Sequence, residues 1–128
     1  MNSTSSTPNP LAFIVDDEPM LLDMNEEVMK SIGFEVRRFR TAEQALEAYR
    51  TGTTLPAIIV TDYSMHRMTG MDLLGACRAL HPDQKVLLVS GTVGETIFQN
   101  SPMKPDGFIP KPYAVDELTA VVRELTGM

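Results

Sequence analysis

Four short stretches carry the residues that could do chemistry: Asp16-Asp17-Glu18, Thr61-Asp62, Ser90-Gly91-Thr92 and Pro110-Lys111-Pro112. Each follows a short apolar run. Three aspartates held close would repel and raise one another's pKa unless a cation sat among them. Mg²⁺ suits such a set, because it takes few carboxylates, keeps waters and often binds a phosphate oxygen. Mn²⁺ is the substitute with similar ligand preferences. Lys111 offers a point charge for that phosphate, and Ser90 a hydrogen bond. Each residue alone also has a plainer reading. Asp17, close before Pro19, would serve as a helix cap. Ser90-Gly91 would make a turn, and a lone lysine is ordinarily a surface residue.

Convergence of these stretches depends on the elements that carry them. The apolar runs fall at Leu11–Val15, Glu35–Phe39, Ala57–Thr61, Lys85–Ser90 and Gly107–Ile109. LAFIV, AIIV and VLLV are continuous rather than alternating, as in strands covered on both faces of a parallel sheet. EVRRF is the most polar and suits an edge. Pro110 lacks a ladder donor, so the fifth strand should end there. Helical spacing lies between the runs. Leu21, Met24, Val28 and Ile32 form one stripe, closed by Gly33. Ala42, Ala45, Leu46 and Tyr49 form a second, with Thr41 and Gln44 as a capping box and Gly52 at its end. Leu73, Leu74, Cys77 and Leu80 follow Gly70, and Leu118, Val121, Val122 and Leu125 form the last stripe. A short helix is expected over Val93–Asn100.

Five strands alternating with five helices, joined by right-handed crossovers, predict an α/β doubly wound sheet. Five strands in one domain favour the flavodoxin-like order 2-1-3-4-5 over the dinucleotide-binding order. Ligands of such sheets bind beyond the carboxyl ends of the strands, where all four polar stretches fall.

Composition narrows the function classes. The chain has 128 residues, 43% hydrophobic and 22% charged, which predicts one globular domain. Its net charge of −6 argues against direct nucleic-acid binding and against an anionic membrane surface. The lone Cys77 excludes an internal disulfide framework and a thiolate zinc site. No apolar run is long enough to span a bilayer, and no secretory leader is visible. A cytoplasmic location is expected. Met1–Pro10 (MNSTSSTPNP) offers little to bury and reads as a flexible tail before a domain over 11–126. Met20, Met24 and Met29 read as gap-filling core, and Met65 and Met68 as anchors of the loop after Asp62.

The strings FIVDDEP, IIVTDYSMHRMTG, LLVSGT and FIPKPY, in this order, resemble the response-regulator receiver family from about Leu11 to Leu125. TDYSM…MTG and LVSGT look most like receivers attached to hybrid sensor kinases. The resemblance implies phosphoryl transfer from a phosphohistidine, on a sensor histidine kinase or a histidine phosphotransfer protein, to Asp62. It implies Mg²⁺ held by Asp17, Asp62 and the backbone carbonyl of Ser64, with Asp16 acting through a metal-bound water. Ser90 and Lys111 would bind phosphoryl oxygens, and the Lys111-Pro112 bond would be cis. Ser90 and Phe108 would form the switch, and a downstream protein would read the fourth helix, fifth strand and fifth helix. Phe108 stands where the family more often has Tyr, so a readout there is by packing. His66 stands in place of the usual Pro, and Ser64 and Thr92 occupy positions that influence water access to the phosphoryl group.

Other readings compete. A Mg²⁺-dependent phosphohydrolase would need a general acid two residues past the nucleophile, where this chain has Ser64. A flavin or nucleotide carrier would need a Gly-rich phosphate loop where Asp16-Asp17-Glu18 stands. A receiver fold that signals without phosphate is a further alternative. With no output domain visible, the expectation is a stand-alone relay or a receiver cut from a larger kinase.

Overall fold

The continuous apolar runs become the interior of one parallel sheet. The computed structural model describes residues 9–65, 67–91, 94 and 96–128, with the side chain of Ile97 excepted. Its strands are β1 (Leu11–Val15), β2 (Glu35–Phe39), β3 (Ile58–Asp62), β4 (Val86–Ser90) and β5 (Gly107–Pro110). Their spatial order is β2-β1-β3-β4-β5, and every neighbouring pair is parallel. This is the flavodoxin-like order. The helices are α1 (Pro19–Ile32), α2 (Ala42–Thr51), α3 (Gly70–Leu80), α4 (Thr96–Gln99) and α5 (Val115–Thr126).

The expected fourth helix over Val93–Asn100 is reduced to a turn of four residues among the described residues. Four helices of 10 to 14 residues therefore carry the fold. Phe98 is buried, but Thr96 and Gln99 are exposed. So thin an apolar stripe does not offset the ordering of further turns. The expectations placed on His66, Thr92 and Val93, and on all of the tail before Asn9, lie outside the described residues.

Residues alternate between two cores along each interior strand. Ala12, Ile14, Ile58, Val60, Leu87 and Val89 face α1 and α5. Phe13, Val15, Ile59 and Val86 face α2 and α3. Covering both faces is what makes the strand sequences apolar throughout. Each fully buried Leu, Ile or Phe contributes roughly 1.5–3 kcal/mol. The edge strand β2 leaves Glu35, Arg37 and Arg38 exposed.

The helix termini follow local chemistry. Pro19 opens α1 with Glu18 at the N-cap, and Gly33 ends it at φ 124°, donating to the Met29 and Lys30 carbonyls. The Thr41 hydroxyl accepts from the Gln44 N–H at 3.1 Å. Gln44 returns its bond to Arg40 N–H (3.3 Å) rather than to Thr41, so the expected capping box is offset by one residue. Thr69 and Asp72 form a full box at α3.

Two expectations about apolar stripes need correction. Starting at Pro19, α1 buries Leu22, Asn25, Val28 and Met29. Leu21, Met24 and Ile32 are only half-buried, and Met20 is 84% exposed. In α3, Leu73, Leu74 and Cys77 are buried but Leu80 is 49% exposed.

At the amino ends of β4 and β5, Arg78 donates to the carbonyls of Gln84 (3.1 Å) and Lys104 and to Asp106 Oδ2 (2.7 Å). The same carboxylate oxygen accepts from Val86 N–H at 2.8 Å. Tyr49 donates to buried Gln84 Oε1 at 2.9 Å.

Candidate functional site

At the opposite rim the strand ends bring the polar stretches together. Asp16 follows β1, Asp62 ends β3, Ser90 ends β4 and Lys111 follows β5. These strands are neighbours in the sheet. Ligand oxygens of Asp16, Asp17 and Asp62 lie within 4.8 Å of one another. Asp16, Asp62 and Ser90 are buried, whereas Asp17 is exposed. Asp17 does not cap α1, since Glu18 occupies the N-cap position. Asp16 Oδ1 instead accepts from Glu18 N–H at 2.9 Å, shaping the β1–α1 loop.

Lys111 is the cation of this rim. Its Nζ lies 3.1 Å from Asp16 Oδ2, 3.4 Å from Asp62 Oδ2 and 3.4 Å from Glu18 Oε1. The Lys111 N–H donates to the Ser90 carbonyl at 2.8 Å, holding the lysine beside the end of β4. The Lys111-Pro112 peptide is cis. Next in the chain, Tyr113 donates to buried Asn25 Oδ1 at 2.9 Å, tying this segment to α1.

The charges do not balance. Asp62 Oδ1 is buried and has no hydrogen-bond partner among the described residues. Burial pushes the Asp62 carboxyl up to about 6; Asp16 and Asp17 add to that, and Lys111 offsets part of it. Burial also raises Asp16, against the pull of the Glu18 N–H and Lys111. Burial alone would lower the Lys111 ammonium, but Asp16 and Asp62 more than reverse this and hold it above its ordinary value. A hard divalent cation fits this donor set: the oxygens converge, and a buried one lacks a partner.

Other residues shape the site. Ser64 is exposed in the loop after β3, and Met65 and Met68 pack partly against the α2–α3 core. Phe108 is half-buried on β5, its ring centroid 5.7 Å from that of Phe98 on α4. Three contributors were not visible in the residue pattern. Gly70 brings α3 so close that a Cβ there would lie 2.5 Å from the Asp62 carbonyl oxygen. Arg40 Nη2 donates to the Asp17 carbonyl at 3.1 Å. Glu18, read only as part of an acidic run, shares Lys111. A glycine preceded by a capping threonine was the one available signal; contacts to backbone carbonyls leave none.

Comparison with known proteins agrees with this geometry. A family model described as the response regulator receiver domain matches residues 12–123. The sensor kinase CckA of Brucella abortus is 29% identical over 124 residues, covering 96% of this chain but 13% of that protein. The C4-dicarboxylate transport transcriptional regulatory protein DctD of Rhizobium meliloti is 31% identical, covering 89% of this chain and 25% of its own length. The transcriptional regulatory protein PrrA of Mycobacterium leprae is 32% identical, covering 91% and 50%. The chain thus spans half or less of these relatives.

Among solved structures, a response regulator receiver protein from Sinorhizobium medicae superposes with a TM-score of 0.83 at 22% identity, covering 93% of this chain and 95% of the other. A CheY-like receiver domain protein from Methanospirillum hungatei gives 0.82 at 24%, covering 93% and 94%. These two likenesses speak to the fold; the family match speaks to descent. Sheet order, convergent acidic rim and family match agree: this chain belongs to the response regulator receiver domain family.

Proposed function

We propose that the chain is a phosphoacceptor domain of a two-component or phosphorelay system, with Asp62 as the acceptor. The observation that carries this is Asp62 itself, a buried carboxylate with one oxygen facing Lys111 and the other without a partner among the described residues. An Asp62 carboxylate oxygen attacks the phosphorus of a phosphohistidine; the P–N bond breaks, and its electron pair leaves with the imidazole nitrogen, which takes up a proton. An aspartyl phosphate results. Lys111 and Ser90 receive the phosphoryl oxygens, and catalysis is by positioning and charge neutralisation. Asp17, Asp62 and the Ser64 carbonyl would hold Mg²⁺, with Asp16 acting through water; Mn²⁺ would substitute. Bound there, the metal would neutralise charge on the transferring phosphoryl group.

The donor is a sensor histidine kinase or a histidine phosphotransfer protein. Beside Lys111 a cleft of about 520 Å³, lined by Met20, Leu21, Met24, Pro112 and Tyr113, offers an apolar margin for its approach. Ser90 and Phe108 form the switch, and the face of α4, β5 and α5 presents it to a protein target. Ser64, with no acidic proton to give, favours a switch over a turnover phosphohydrolase. The net charge of −6 favours a protein target over nucleic acid, although DctD and PrrA are transcriptional regulatory proteins. No described helix is long and apolar enough to cross a membrane. A domain over 11–126 acting in the cytoplasm completes the reading.

Phosphoramidate, which carries the P–N bond of phosphohistidine, tests it. With Mg²⁺, the protein should gain one hydroxylamine-labile phosphoryl group, and Asp62→Asn should gain none. A hydroxylamine-stable adduct, or one retained by Asp62→Asn, would overturn the assignment.

A further inference from the structure

Two of the three rim aspartates sit on the β1–α1 loop, so the backbone of that loop decides whether the set can share a cation. Its backbone bonds on either side of Asp17 are these. Asp16 N–H donates to the Phe39 carbonyl at 3.1 Å, Glu18 N–H to Asp16 Oδ1 at 2.9 Å, and Leu22 N–H to the Glu18 carbonyl at 3.1 Å. None of these bonds touches the carbonyl of Asp17. That group is held from outside the loop, by Arg40 just past the end of β2, whose Nη2 donates to it at 3.1 Å. The Arg40 backbone is held in turn, since its N–H donates to Gln44 Oε1 at 3.3 Å beside the Thr41 cap of α2.

We propose that Arg40 is a positioning residue for the cation site. It anchors the peptide of Asp17 so that this exposed carboxylate stays within reach of Asp16 and Asp62. The inference rests on the reading of the rim as a Mg²⁺ site. Its logic is geometric rather than electrostatic, and the two have opposite signs. A guanidinium acting only as a nearby positive charge would repel a second cation, so its removal would tighten Mg²⁺ binding. An anchor does the reverse, because its loss lets Asp17 wander. Arg40 is exposed, so solvent and salt screen its charge while Nη2 still holds the carbonyl. Groups that orient metal ligands without touching the metal alter affinity by roughly 10–100-fold. An exposed anchor belongs near the lower end.

The test is Mg²⁺ titration of the whole chain, followed by the amide resonances of Asp17 and Asp62. Arg40→Ala should bind Mg²⁺ about tenfold more weakly. Arg40→Lys, which keeps a donor of similar reach, should recover most of the affinity. The loss in Arg40→Ala should persist at high salt. Equal or tighter binding by Arg40→Ala, or equal weakness of Arg40→Lys and Arg40→Ala, overturns the proposal. The rest of each spectrum reports whether the variant is folded. Asp17→Asn separates this proposal from the one beneath it: weakening by Asp17→Asn but not by Arg40→Ala refutes the anchor alone. No Mg²⁺ binding by the native chain refutes the metal site and the anchor with it.

Discussion

The two rims of the sheet use the same kinds of residue to opposite ends. At the amino end, Arg78 meets Asp106 at 2.7 Å, and its other two guanidinium nitrogens each donate to a backbone carbonyl. Asp106 also accepts from Val86 N–H, and Gln84 accepts from Tyr49. The ion pair there is matched one to one. At the carboxyl end, Lys111 faces Asp16, Asp62 and Glu18, with Asp17 close by. One buried oxygen has no partner among the described residues. The first rim stabilises the fold. The second costs stability unless something joins it, which is the mark of a site kept for function.

Removing a charge from each rim should therefore move stability in opposite directions. Arg78→Ala should have the largest effect, destabilising by about 3 kcal/mol, because it removes three hydrogen bonds at about 1 kcal/mol each. Urea unfolding measures it; a loss well under 1 kcal/mol would show that the amino rim is not a structural clamp.

Asp62→Asn should stabilise the metal-free protein at pH 7. The folded pKa of Asp62, about 6, lies above the ordinary value of 3.8. The native state thus holds the proton longer, and stability from this group falls as pH rises from near 4 through 6. At pH 7 the gain on removing the charge is on the order of 2 kcal/mol. It should vanish below pH 4. Thermal unfolding in EDTA across this range would show a gain independent of pH if the charge were not its cause.

Gly70→Ala comes next. Its methyl would meet the Asp62 carbonyl oxygen at 2.5 Å and Leu88 Cδ1 at 2.7 Å. Overpacking of this kind costs about 1–3 kcal/mol. It should also weaken Mg²⁺ binding by displacing Asp62. An unchanged Mg²⁺ affinity would separate the packing of α3 from the geometry of the site.

Arg67→Gly is the smallest. Arg67 adopts φ 67° in the loop after β3, where a side chain costs roughly 1 kcal/mol that glycine avoids. The variant should be slightly more stable. A destabilised variant would mean that the arginine side chain makes up for its own strain.

The contrast between rims also explains what the sequence disclosed. Both-face burial wrote the interior strands as LAFIV, IIV and VLLV, and that pattern placed Asp16, Asp62 and Ser90 at adjacent strand ends. The amino rim left no such trace. Arg78 and Arg40 act largely on backbone carbonyls, which no residue pattern encodes. Asn25 is buried because Tyr113, 88 residues away, donates to it. Without that pair, α1 reads as Leu21, Met24 and Ile32 inward, and the stripe comes out rotated. Met20 looked like core because it is apolar, yet it borders the cleft beside Lys111.

The most direct test of the account is intact-protein mass after incubation with acetyl phosphate and Mg²⁺, with fragmentation to place the adduct. A single phosphoryl group on Asp62 is expected, lost in EDTA and in Asp62→Asn. An adduct on another residue, or one that forms equally well in EDTA, would contradict the claim that the unbalanced rim is a metal-dependent phosphoacceptor.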